Sequence, residues 1–160
     1  MLKVGVIGGG SISEFHLRPY FENPNVEIIA ICDTNEARLH ALGKKYLVEN
    51  LYTEVSEILA NEQIDAVSIC TWNNSHANIA IQALQKNKHV LLEKPLSLNL
   101  EEAYAVEAAV KESNKILQVG NVRRFATNVE VLKKFIDADE LGEIYYAKAS
   151  CLRRLGNPGG

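Results

Sequence analysis

The stretch Met1-Leu2-Lys3-Val4-Gly5-Val6-Ile7-Gly8-Gly9-Gly10-Ser11-Ile12-Ser13 decides the fold. Leu2–Ile7 is apolar at nearly every position, as in a strand covered on both faces. Three glycines follow, and a helical pattern then runs from about Ser11 to Glu22, with Pro19 expected to kink or shorten it. A strand, a glycine turn and a helix in that order provide the context in which G-x-G-x-x-G/A has physical meaning. Gly8 makes the tight turn, Gly10 lets the backbone approach a pyrophosphate, and Ser13 stands in the third, small position. The amides at Ser11 and Ile12, at the positive end of the helix, complete an anion site.

Outward from this stretch, short apolar runs alternate with helical patterns. Val26–Cys32, Leu51-Tyr52, Ile64–Cys70, Val90–Leu92 and Lys115–Val119 read as strands. Helices are expected over about 35–46, from Thr53 as N-cap to Ala60, from Ser75 as cap to about Lys86, and over 100–112. The α/β alternation predicts a Rossmann-type, doubly wound parallel sheet over residues 1–122, with right-handed crossovers.

The character changes after Val122. A helix over about 128–136 and a turn at Leu141-Gly142-Glu143 lead to Ile144–Leu152, which reads as a long strand without a partner. A bare strand of that kind is avoided in native proteins. Residues 123–160 are therefore expected to begin an α+β second domain, for substrate and oligomer contacts, whose remainder is absent. The chain reads as truncated, with association into a homo-oligomer through the second domain.

Composition excludes several classes. The chain has 160 residues, a net charge of −3 and 23% charged residues. Nucleic-acid binding needs clustered Lys and Arg, and only isolated basic pairs such as Arg123-Arg124 and Arg153-Arg154 occur. No apolar run reaches the ~20 residues of a membrane helix, and the apolar start is too short for a signal peptide. The three cysteines, Cys32, Cys70 and Cys151, form no CxxC, and no His stands at ligand spacing, so no metal is expected. The cysteines suit small buried hydrophobes in a reducing cytoplasm.

Two further segments carry chemistry. Asp33 directly follows the second strand, where a carboxylate accepts hydrogen bonds from ribose hydroxyls and repels a 2′-phosphate. This favours NAD and leaves NADP open, since Arg38 is one turn on; capping the next helix is the plainer role for Asp33. Glu93-Lys94-Pro95 ends the buried strand Val90–Leu92, on the edge where parallel sheets bind ligands. Pro95 holds Lys94 extended and admits a cis bond. A free lysine titrates near pH ~10.4. Beside a positive nicotinamide ring and partly desolvated, Lys94 would move towards neutrality and serve proton transfer.

Taken in order, Gly8-Gly9-Gly10, Cys32-Asp33, Thr71-Trp72-Asn73-Asn74-Ser75-His76, Glu93-Lys94-Pro95 and Val119-Gly120-Asn121-Val122-Arg123-Arg124-Phe125 resemble the Gfo/Idh/MocA family. The resemblance covers essentially the whole chain, and E-K-P is its most specific element. It implies an NAD(P)-dependent oxidoreductase acting on CH–OH groups of sugars, inositols or related polyols. By the same resemblance Lys94 serves substrate binding and proton transfer. Thr71, Asn73 and His76 border the cofactor together with Glu93 and Lys94, and Arg124 reaches the substrate. Trp72 stands where the family usually has proline, and either faces the nicotinamide or packs. His76 also suits a capping or packing role, and His16 in the first helix a structural one. The family's D-x-x-x-H acid/base pair does not occur before residue 160, so the chain is expected to bind NAD and turn over little alone. A non-catalytic nucleotide sensor is the alternative. A methyltransferase using S-adenosylmethionine shares the glycine loop and the acid but has no use for Lys94.

Overall fold

The computed structural model describes residues 1–150 and residue 152; Cys151 and residues 153–160 lie outside the described residues. Its contacts divide the chain into two units, Met1–Gly120 and Asn121–Gly160.

The first unit is a six-stranded sheet in the order β3-β2-β1-β4-β5-β6. The strands are β1 Leu2–Ile7, β2 Val26–Cys32, β3 Asn50–Tyr52, β4 Ala66–Ile69, β5 His89–Leu92 and β6 Leu117–Val119. All neighbouring pairs are parallel. Five helices connect them: α1 Glu14–Glu22, α2 Glu36–Tyr46, α3 Val55–Ala60, α4 His76–Gln85 and α5 Leu100–Ser113. The chain winds outward through β2 and β3, then crosses back to place β4 on the other side of β1. The strand order thus reverses between β1 and β4, and the loops leaving these strands diverge into a crevice at their carboxyl ends.

Alternation along the strands builds two cores. Val6 and Ile31 join Leu17 of α1 and Leu39, Leu42 and Tyr46 of α2 on one face. Their strand neighbours Ile7 and Cys32 join Ile58 of α3 and Ile79, Ala80, Ala83 and Leu84 of α4 on the other. Fully burying each large aliphatic side chain contributes about 1.5–3 kcal/mol, which holds α4 against the sheet more firmly than its helix propensity does. At the amino edge, away from the crevice, buried Lys88 donates to the carbonyls of Asn61 (2.7 Å) and Ile64 (2.9 Å). Its ammonium thereby satisfies acceptors where the chain leaves α3.

Several local expectations change. Residues Ser11–Ser13 form a 3-10 turn before α1 begins at Glu14. Pro19 lies inside α1 on an exposed position, and the helix continues to Glu22 with only the bond to the Phe15 carbonyl forgone. Neither Thr53 nor Ser75 caps as expected: Glu54 occupies the cap of α3, and the Ser75 side chain makes no cap bond.

The second unit contains the 3-10 turn Val122–Phe125 and helix α6, Thr127–Asp137. The expected strand Ile144–Leu152 is not formed: residues 144–150 and 152 have no regular structure, and residue 151 is outside the described set. A strand exists only through a ladder to a neighbour, and the described residues of this unit contain no other strand. Among the described residues no helix is long and apolar enough to cross a membrane, and no His, Cys, Asp and Glu cluster could hold a metal.

Candidate cofactor site

The site starts with three glycines that are glycine for different reasons. Gly8 has φ +93°, and a Cβ there would lie 2.7 Å from the carbonyl carbon and oxygen of Cys70. Only glycine lets the β1 loop pass this close to the end of β4. At Gly9 a Cβ would meet Leu42 Cδ1 at 2.9 Å and Asp33 Oδ2 at 3.0 Å. At Gly10 a Cβ would meet nothing within 4 Å, and its φ of −65° suits any residue. No packing inside the protein asks for glycine at position 10. The open space there would admit the close backbone approach that a pyrophosphate requires. Ser13 is fully buried, and its Oγ donates to the Gly10 carbonyl at 2.7 Å, so the larger third residue tightens the turn.

Asp33 stands at the carboxyl end of β2 with 9% of its surface exposed. Its Oδ2 accepts from Gly9 N at 2.5 Å and its Oδ1 from Asn35 N at 2.7 Å. The capping alternative is settled by Asn35, whose own side chain caps α2 through Arg38 N. The half-exposed Arg38 guanidinium approaches Asp33 Oδ2 at 3.5 Å. Asp33 thus braces the glycine loop while its two oxygens keep further acceptor capacity.

The loop after β4 is pinned at both ends. Thr71 Oγ1 and Ser75 Oγ are 2.7 Å apart, and Ser75 Oγ also donates to the Trp72 carbonyl at 2.8 Å. Trp72 is 74% exposed and packs against none of the described residues, and Asn73 is exposed beside it. His76 is 1% exposed. Its Nδ1 lies 2.7 Å from the Pro95 carbonyl and its Nε2 3.1 Å from the Thr71 carbonyl. Both partners are main-chain carbonyl acceptors, so each ring nitrogen faces a group to which an N–H could donate. With both nitrogens turned to the main chain, His76 joins the β4 and β5 loops.

Glu93 and Lys94 follow β5 at the same edge, and the Lys94–Pro95 peptide bond is cis. Lys94 is exposed, so residues of this unit do not supply the desolvation expected for it. Glu93 is buried: its Oε1 accepts from His16 Nε2 at 3.1 Å, and its Oε2 faces the Lys94 amide at 3.3 Å. The His16 partner was missed from sequence. Its signal is present nonetheless, because positions 13, 16, 17 and 20 form the inward stripe of the first helix. Ser13 and Leu17 are fully buried and Tyr20 bonds Ser68 of β4 at 2.7 Å. A histidine in such a stripe needs a partner. Cys32 and Cys70, at the ends of β2 and β4, are buried free thiols, each pushed up to about 12 by burial.

Gly8–Ile12, Asp33, Thr71, Asn73, Glu93 and Lys94 thus all follow the carboxyl ends of strands β1, β2, β4 and β5. Arg124 is exposed on the 3-10 turn of the second unit. A pyrophosphate fits Gly10, and ribose hydroxyls fit the lone pairs of Asp33, so the residues present suit NAD.

Comparison with known proteins agrees. Residues 2–121 match the sequence profile of the Gfo/Idh/MocA family, described as an oxidoreductase family with an NAD-binding Rossmann fold. D-glucoside 3-dehydrogenase of Escherichia coli is 31% identical over 159 residues, which are 99% of this chain and 45% of that protein. Inositol 2-dehydrogenase of Salmonella typhimurium is 34% identical over 145 residues, covering 89% of this chain and 43% of that one. The crystal structure of scyllo-inositol dehydrogenase from Lactobacillus casei, with NAD(H) and scyllo-inositol bound, superposes with a TM-score of 0.86 at 25% identity. It covers 89% of this chain and 43% of that chain. The chain therefore spans less than half the length of these relatives. With its glycine loop, its acid after β2 and its sheet order all in agreement, the chain belongs to the Gfo/Idh/MocA oxidoreductase family, as its NAD-binding Rossmann domain.

Proposed function

We propose that this chain is the cofactor-holding part of an oxidoreductase that moves hydride between nicotinamide and a CH–OH group of a sugar, inositol or related polyol. One observation carries the reading: the residue with no internal reason to be glycine, Gly10, lies on the same sheet edge as Asp33 and Lys94. NAD supplies the hydride acceptor when bound. The amides from Gly8 to Ile12, with Ser11 exposed at the turn, hold the pyrophosphate. Asp33 takes the adenosine ribose, and its charge disfavours the 2′-phosphate of NADP. Thr71 and Asn73 border the cofactor, and Glu93 supports its nicotinamide end. Lys94 holds the substrate hydroxyl and relays its proton, while Arg124 orients the substrate.

The division of labour follows the sequence boundaries: residues 1–122 carry the cofactor, and residues 123–160 open a domain for substrate and for homo-oligomer contacts. The buried free thiols suit a reducing cytoplasm. The relatives named above act on inositol and glucosides, so a panel of inositols and glucosides is the natural substrate test. NAD reduction by the protein carrying this chain is expected with at least one member, and Lys94→Met is expected to reduce kcat by about 10²–10⁴-fold. Full activity in Lys94→Met would overturn the assignment of Lys94. The 160 residues alone are expected to bind NADH with little turnover.

A further inference from the structure

Resting on the reading just given, we infer that His16 is a positioning residue for the nicotinamide half of the site, acting through Glu93 on Lys94. His16 and Glu93 have side chains only 10% and 9% exposed and meet at 3.1 Å. They come from elements 77 residues apart: α1, which leaves the glycine loop, and the turn after β5. Their contact ties the loop that holds phosphate to the loop that holds Lys94.

Glu93 is held from every side. Its amide donates to the Ile69 carbonyl at 3.0 Å, which fixes its backbone to β4. Gly120, after β6, leaves space for its carboxylate: a Cβ there would lie 3.4 Å from Oε1. The Oε2 atom faces the Lys94 amide at 3.3 Å. His16 supplies the one side-chain donor in this set. Three residues before it, Ser13 Oγ holds the Gly10 carbonyl at 2.7 Å. Hydrogen bonds thus join Gly10 to Ser13 and His16 through Glu93 to Lys94, and the start of the first helix carries both Ser13 and His16.

Stability alone does not account for such a pair. A buried ion pair or charge-assisted pair is commonly no more stabilising than apolar side chains of the same volume. What it adds is direction. A carboxylate fixed between a ring N–H and a main-chain amide sets the path of the backbone at Lys94, and so where its ammonium begins. Residues that hold reacting groups in this way act through placement within fractions of an ångström.

The test separates the two halves of the cofactor by calorimetry on this chain. NADH and ADP-ribose, which lacks the nicotinamide ring, are titrated into wild type, His16→Ala and His16→Gln. His16→Ala is expected to weaken NADH about tenfold and ADP-ribose less than about twofold, and His16→Gln, which retains a donor, to recover most of the loss. If His16→Ala melts below the assay temperature, His16→Leu against His16→Gln makes the same comparison at preserved bulk. An unchanged ratio of NADH to ADP-ribose affinity in these variants, with wild type binding both, overturns this inference alone. Failure of wild type to bind either ligand overturns both it and the proposed function.

Discussion

A methyl group at Gly8 would press against the Cys70 carbonyl at 2.7 Å and demand φ +93° of an alanine, whereas at Gly10 it would meet nothing within 4 Å. Gly8→Ala is therefore expected to cost about 3 kcal/mol or more, read by urea denaturation. Gly10→Ala should leave stability unchanged or raise it by about 0.4–1 kcal/mol, because the unfolded chain loses freedom. The same substitution should weaken NADH at least tenfold, about 1.4 kcal/mol, by blocking the backbone approach. At Asp33 the charge, rather than the size, is at issue. Asp33→Asn keeps an acceptor for the Gly9 amide but removes the repulsion of a 2′-phosphate, and it frees Arg38, now 3.5 Å from the carboxylate. The ratio of NADPH to NADH affinity should rise about tenfold or more, measured by titration of each. These residues were legible in the sequence because each sits within a few positions of a strand end. His16 was not, since its partner Glu93 becomes a neighbour only when the sheet orders β1, β4 and β5 side by side.

The strand ends carry their own prediction. Cys32 closes β2, and Cys70 follows β4; burial first, then the nearby Asp33 for Cys32 and Glu93 for Cys70, raises each thiol from 9.0 to about 12. In the unfolded chain these thiols lose their protons near pH 9, while in the folded chain they keep them. The folded state then binds more protons, so stability is fully present below pH 9 and is lost as pH rises towards 12. The slope is about 1.4 kcal/mol per pH unit for each thiol, observable as a falling urea midpoint above pH ~9. Alkylation of either thiol by iodoacetamide at neutral pH should require unfolding. At the opposite edge, Lys88→Met removes the donor shared by the Asn61 and Ile64 carbonyls. It should cost about 1–3 kcal/mol by the same denaturation measurement, with NADH affinity unchanged, because far from the crevice the buried Ile64 carbonyl loses this donor and the half-buried Asn61 carbonyl keeps the Ile64 amide at 3.3 Å. Period-2 and period-3.6 patterns located the six strands and the helices of the first unit, with ends off by up to three residues. Caps were less readable: Thr53 and Ser75 have capping chemistry, yet Ser75 turns its hydroxyl to Thr71 and Trp72 instead.

At the scale of the whole molecule, the sheet order places every cofactor candidate of the first unit on one edge, and this order follows from the crossover between β3 and β4. The run Ile144–Leu152 shows the limit of reading pattern alone. Its mostly apolar composition, with Ile144, Tyr145 and Tyr146 at its start, satisfies a strand template, but residues 144–150 and 152 remain irregular, since a strand is a property of a pair. Arg124 illustrates the same limit for the site: its sequence segment resembles the family, while its place relative to a substrate depends on residues beyond the first unit. The central claim, that a dinucleotide lies across Gly10 with its nicotinamide towards Lys94, is tested most directly through the single tryptophan of the chain. Trp72 is exposed on the loop after β4, directly after Thr71, whose amide faces Gly8. Titration with NADH is expected to quench Trp72 emission and transfer its energy to the bound nicotinamide, saturating at one equivalent and much weakened in Gly10→Ala. Unchanged Trp72 emission in wild type, or an equal response in Gly10→Ala, would contradict the account.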